Sequence, residues 1–321
     1  MVTNERQGSK GLLRDVILMM LVSAELGMGL LFIGLLCLGA SYHSHQRWSS
    51  VMTVPGWLLV GTYFFLDTDR YVAHDDAVLT VLSAAALPVS CFVAWAEITG
   101  TGPTEALRWL RGAMFWAAVP YLAIAHVPWI HVAGIWLIAA NTVLFLRFTG
   151  AADVHLGQIT VVEGHQRIAW ADWGGSRWFH LDPATEYPFL LDIVDGSGQP
   201  IGINIILGCT ALQSMVVFIG ACVPLASSWR RKIRALVITL PVIHVLNVFR
   251  NAGIIWLVEA FPDWRWMGLD MFDFSHTYAA RVVSLGAMFL LATVLFDVLP
   301  ELHRHILRLL PNRIVAQPSR V

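Results

Sequence analysis

The run IILGCTALQSM, residues 205–215, holds a cysteine in otherwise greasy chain, followed closely by Thr210, Gln213 and Ser214. A cysteine there is either small apolar packing or a nucleophile whose reactive form is the thiolate. Downstream, LNVFRN sets Arg250 inside a second apolar run, with Asn247 and Asn251 around it. FSHTYAAR then delivers His276 and Arg281 at the mouth of a third. An arginine in hydrocarbon costs several kcal/mol and faces the bundle interior, with a partner or a wet cavity. No Asp or Glu stands at matching depth in the neighbouring runs, and Asp297 is at the far end of the last. A thiolate at Cys209 answers that charge. His276 titrates near neutral pH and suits proton transfer. Arg281 competes with it between a catalytic role and an interfacial one. Asn247 and Asn251 are expected to fix the Arg250 fork by hydrogen bonding, and Thr210 and Gln213 to help position a substrate. This chemistry is nucleophilic catalysis by a cysteine.

The elements that must position these groups are membrane helices. Of 321 residues, 57% are hydrophobic and 13% charged, about half the charge of a soluble domain. The net charge of −1 offers no cationic face for nucleic acid. A span needs about 20 apolar residues, and eight candidates follow: 16–40, 51–66, 77–96, 107–126, 129–148, 202–227, 235–259 and 277–299. The expected fold is thus an all-α polytopic membrane protein with a small extracytoplasmic β-hairpin-like insertion between spans five and six. Its regions are residues 1–148 (five helices), 149–201 (loop or lid), 202–300 (three helices carrying the reactive groups) and 301–321 (cytoplasmic tail). Basic clusters at Arg6, Lys10 and Arg14, at Arg230, Arg231, Lys232 and Arg234, and at Arg304, Arg308, Arg313 and Arg320 fall on one side. The positive-inside rule makes that side the cytoplasm, with both termini there. Two loops dissent. DTDRYVAHDD is acidic where a cytoplasmic loop is expected, and EALRWLRG carries two arginines where an outer loop is expected. From the outer ends of their spans, Cys209 is roughly 10 Å deep and Arg250 roughly 15 Å. Three spans thus bring reactive groups to the outer half of the membrane.

The insertion contains GQITVVEG and RIAWADWGGSRWFHL, alternating and rich in β-branched and aromatic residues, the pattern of a hairpin. Its Trp170, Trp173, Trp178 and Phe179 suit the headgroup level. DGSGQP, 195–200, is a turn into span six. Cys37, Cys91 and Cys222 lack polar company and read as packing; the four cysteines form neither a zinc spacing nor a disulfide framework. Glu25 reads as an interhelical hydrogen-bond site. His126 and His131 bracket a cytoplasmic turn, remote from the outer site. Asp263, Asp270 and Asp273 are outer-loop residues, one of which suits orienting His276. His155, His165 and His180 match no ligand spacing, so neither metal nor cofactor is expected.

LGCTALQSM, LNVFRNAGIIW and FSHTYAARVVSLGAMFLL with LPEL together resemble the exosortase/archaeosortase family over roughly residues 203–302. The family often reads Ala-Cys-Thr-Gly where this chain has Gly-Cys-Thr-Ala. The resemblance implies a thiol-dependent transpeptidase or protease of the cell membrane that cleaves a C-terminal sorting signal of secreted surface proteins. In that scheme Cys209 is the nucleophile, Arg250 its arginine, and His276 or Arg281 the third catalytic group. A membrane lipid is the implied acceptor of the new C-terminus. A polytopic transporter or a non-catalytic scaffold is the alternative. A transporter predicts charge spread through both leaflets, whereas the reactive types here gather at one level.

Overall fold

The computed structural model describes residues 26–44, 49–73, 76–164, 166–181 and 188–309. Glu25, His165, the N-terminal basic cluster, Arg313 and Arg320 lie outside the described residues. The chain divides into two compact units, one formed by residues up to Phe115 together with those from His305, the other by Trp116–Arg304.

The first unit is helical: α1 (Leu26–His43), α2 (Ser49–Leu66), α3 (Thr68–Ala73), α4 (Ala77–Thr99) and the first half of α5 (Thr104–His126). Small residues let these helices close up. A Cβ on Gly61 of α2 would lie 2.5 Å from the Ser90 Cβ of α4, and one on Gly34 of α1 would lie 2.9 Å from Val60. Asp76 caps α4 by accepting from the Leu79 N–H at 3.1 Å, and Gly100 ends it at φ +64°. Arg108 and Arg111, read from sequence as loop residues, stand inside α5. Arg111, half-buried, pairs with Glu97 at 3.6 Å and donates to Ser41 at 2.9 Å and Thr53 at 2.8 Å.

The second unit begins with α6 (Pro128–Thr149) and a four-stranded antiparallel sheet, order β2-β1-β3-β4: β1 Val154–Glu163, β2 Gln166–Ala169, β3 Phe189–Asp195, β4 Pro200–Ile205. The expected hairpin is present as β1–β2, turned by Gly164 at φ +60°. It is half of a larger sheet. Asp195 nucleates the β3–β4 turn, accepting from the Ser197 hydroxyl at 2.7 Å and the Ser197 and Gln199 N–H groups at 2.8 and 2.9 Å. Those bonds hold its carboxyl below the ordinary Asp range, the Ser197 hydroxyl first among them. One face of the sheet packs along α6: Phe189, Leu191 and Ile193 are fully buried with Ile135, Ala139 and Leu146. Each such side chain is worth about 2 kcal/mol. The other face is polar, with Arg167 paired to Asp192 at 3.6 Å and Asn204 opposite Asp192.

Helices α7 (Leu212–Cys222), α8 (Trp229–Ala260), α9 (Met271–Val298) and α10 (Pro300–Leu309) complete the chain, with a short hairpin β5–β6 (Arg265–Trp266, Leu269–Asp270) before α9. Span six of the sequence reading therefore breaks up. Its first residues are β4, because Ile201, Ile203 and Ile205 alternate with small or polar neighbours. Its helix has only 11 residues, about 16 Å. Among the described residues five helices, α1, α4, α6, α8 and α9, are long and apolar enough to cross a membrane, where eight crossings were expected. Two further expectations change. The α5–α6 turn is not remote from the insertion: the His180 N–H donates to the His126 carbonyl at 2.9 Å, the Trp129 N–H to that of Arg177 at 3.3 Å, and the His131 ring meets Phe189 at 4.8 Å. The two segments share one end of the unit. Of the four aromatics expected at the headgroups, Trp173 is 3% exposed and packed in the core, while Trp178 (75%) and Phe179 (62%) stand out.

Candidate active site

Strand β4 leads into the candidate nucleophile. Ile206 is extended, and Leu207–Thr210 wind into a 3₁₀ turn. The Cys209 N–H donates to the Ile206 carbonyl at 2.9 Å. The Thr210 hydroxyl donates to the Leu207 carbonyl at 2.6 Å and accepts from the Leu212 N–H at 3.3 Å. Thr210 is buried, and both of these bonds lie within the turn. Ala211 then takes φ +55°, a left-handed conformation that carries a steric cost for any residue with a Cβ. It reverses the chain between the 3₁₀ turn and α7.

The Cys209 carbonyl is held twice. Asn247 donates to it from Nδ2 at 2.6 Å and Asn251 at 2.9 Å, both buried. The two asparagines are one turn apart on α8, so their amides project from one face. The sequence reading gave them to the Arg250 fork; the structure gives them to the cysteine backbone. An unpaired buried carbonyl is costly, and two donors satisfy both of its lone pairs.

Arg250 sits between them, half-buried, within electrostatic reach of both Cys209 and Arg281. His276 is reached by the charges of Arg250, Arg281 and Asp273. Of the three outer aspartates, Asp273 is thus the one whose charge acts on the imidazole. Asp270 caps α9 by accepting from the Asp273 N–H at 2.8 Å. The His276 ring stacks on Phe272 at 5.3 Å, with planes 8° apart. His276 lies in a π-helical turn, Phe274–Ala279, within α9; such turns are frequent at functional sites. Cys209, Arg250, His276 and Arg281 therefore form one electrostatically linked group built by three elements far apart in the chain. A guanidinium beside sulfur steadies a thiolate once it forms, and an imidazole on the same group can carry a proton.

Gln213 points outward and donates to the Tyr121 hydroxyl of α5 at 3.3 Å; Tyr121 carried no signal in the sequence. Cys222 has polar company after all, since the buried Lys232 acts on it, donates to the Val223 carbonyl at 2.7 Å and lies over the Trp229 ring. His155 bonds Asp153 at 3.3 Å, and the His180 ring sits between Trp173 and Phe189. Among the described residues no group of three or more His, Cys, Asp or Glu is placed to hold a metal ion.

Residues 190–293 match the family model of transmembrane exosortases, a segment that contains all four linked residues. The chain is 26% identical to archaeosortase A of Haloferax volcanii over 205 residues, covering 64% of this chain and 61% of that protein. No solved structure is matched. The likeness to exosortases is thus carried by residues 190–293, and the chain spans 61% of the length of the curated relative it matches.

Proposed function

We propose that this chain is a membrane-embedded cysteine transpeptidase. Its substrate is a secreted protein ending in a sorting signal: a short motif, a hydrophobic helix and a basic tail. The Cys209 thiolate attacks the carbonyl carbon at the motif and the peptide C–N bond breaks, leaving a thioester. The departing amine takes its proton from His276. A nucleophile on a lipid headgroup then attacks the thioester, giving its proton to the now neutral His276, and the sulfur leaves as thiolate. Arg250 stabilises the thiolate and the oxyanion of each tetrahedral intermediate. Arg281 orients the substrate or binds a lipid phosphate. Asn247 and Asn251 are positioning residues, acting through the Cys209 backbone. The basic segment Arg230–Arg234 and the residues Arg304 and Arg308 mark the cytoplasmic side; the site opens on the other.

One observation carries this reading. Two buried asparagines fix the backbone of a single cysteine beside a helix turn that offers it a guanidinium, more order than a packing cysteine needs. The test uses a tagged surface protein with the three-part C-terminus, co-expressed with this chain. Wild type should shorten it, and Cys209→Ala should insert normally yet leave it intact. Normal shortening by Cys209→Ala ends the proposal.

A further inference from the structure

Helices α6 and α8 are both long and apolar enough to cross a membrane, and a directional bond joins them. Asn141 of α6 donates from Nδ2 to the Leu137 carbonyl of its own helix at 3.0 Å. A carbonyl only accepts, so that nitrogen is fixed as a donor. Its second hydrogen meets Nε2 of His244, on α8, at 3.2 Å. Nε2 is therefore the acceptor, and the ring hydrogen stands on Nδ1. Both side chains are half-buried. The surrounding contact is apolar. Phe145 meets Phe249 edge-on at 5.0 Å, and Val248, Ala252 and Ile255 of α8 share a buried cluster with α6.

Apolar surfaces settle little about rotation or slide. Lipid is as apolar as the helices, so the pairing of two spans is specified by close packing and interhelical hydrogen bonds. A polar residue among apolar ones fixes register between packed helices. An imidazole acceptor gives Asn141 a target without the charge of a carboxylate, which hydrocarbon penalises.

The register of α8 bears directly on the site. His244, Asn247 and Asn251 follow one another at steps of three and four residues, which puts them on one face of the helix. The last two hold the Cys209 carbonyl at 2.6 and 2.9 Å. A rotation of α8 by about 20° carries an amide about 5 Å from the helix axis through nearly 2 Å, and a slip of one residue moves it by about 1.5 Å. Either displacement exceeds the tolerance of a hydrogen bond. The Cys209 turn itself lies in the same buried cluster as α6 and α8, so the three parts must agree in position.

We infer that Asn141 and His244 are positioning residues for Cys209. Their bond sets the rotation and depth of α8 against α6 and so keeps the asparagine clamp on the nucleophile turn. The inference rests on the transpeptidase reading, and neither side chain is asked to touch the reacting atoms.

The test measures shortening of the tagged surface protein by the full chain in lipid vesicles. Asn141→Leu and His244→Leu remove the bond and leave apolar side chains that an apolar helix pair accepts. Each should lower kcat roughly fivefold, the loss of one hydrogen bond, with KM unchanged. The exchange variant Asn141→His/His244→Asn restores a polar pair at the same place and should return kcat to within about twofold of wild type. A catalytic imidazole would not survive transfer to another helix, so an exchange variant as slow as His244→Leu overturns the inference. So does an Asn141→Leu loss that persists in full when added to Asn247→Ala/Asn251→Ala, because a latch acting through the clamp has nothing left to hold. Selective 15N labelling of histidine gives a readout that needs neither activity nor the leucine variants. In wild type the His244 resonance, identified by its loss in His244→Asn, should show Nε2 without a hydrogen; a hydrogen on Nε2 overturns the inference. Absence of shortening by wild type would defeat the transpeptidase reading and the role of the latch with it, and the imidazole spectrum separates that failure from failure of the bond itself.

Discussion

Removing the asparagine clamp tests the site most directly. In Asn247→Ala or Asn251→Ala, one donor still reaches the Cys209 carbonyl. Each single change loses one hydrogen bond, about 1 kcal/mol, or roughly fivefold in the rate of substrate shortening if the lost order is spent in the transition state. The double variant orphans a buried carbonyl, which adds a desolvation cost of about 1–3 kcal/mol. The total is about 3–5 kcal/mol, a rate loss of roughly 150- to 5,000-fold against about 25-fold for two independent effects. The coupling between the two sites is therefore at least about 1 kcal/mol, within the range for residues sharing a partner. Initial rates with the tagged surface protein measure it, and maleimide reaction of Cys209 in the same four proteins separates lost order from lost folding. Additive singles and double, or singles as damaging as the double, would refute the shared-acceptor geometry.

Ala211 at φ +55° should tolerate Gly within about 0.5 kcal/mol, because relief of strain is offset by the freer unfolded chain. Ala211→Val should cost at least about 1 kcal/mol, since a β-branched residue is a poor fit there; denaturation midpoints in detergent decide. Arg111→Met strands the buried Glu97 carboxylate and should cost about 3–5 kcal/mol, much of it recovered in the Glu97→Leu/Arg111→Met double variant. Thermal unfolding of the three proteins checks this, and equal loss in single and double would contradict a true buried pair.

The reactive types were legible in the sequence because their cost is local. Arg250 in hydrocarbon demands an explanation wherever it stands, and a cysteine with polar neighbours is visible in one line of text. Partners that are backbone atoms leave no such trace. Nothing in LNVFRN says that Asn247 and Asn251 reach a carbonyl 38 and 42 residues earlier, so the nearer Arg250 claimed them. Hydropathy marked α6 as a long apolar helix, as found, but could not show that its buried face meets both the sheet and α8. Residues 202–206 were legible and were overridden: Ile201, Ile203 and Ile205 alternate, but the apolar run continuing to Cys222 suggested a span. EALRWLRG looked like a loop because the partner of Arg111, Glu97, lies in another helix.

The π-helical turn at Phe274–Ala279 has a consequence for register. The Ala280 N–H reaches back to the Ser275 carbonyl, a five-residue step. In ordinary α-helix, side chains five positions apart diverge by about 140°; the wider turn brings His276 and Arg281 towards a common azimuth, where the two influence each other. Deleting Thr277 should let the backbone relax into uniform α-helix, leaving a folded protein whose guanidinium and imidazole look in different directions.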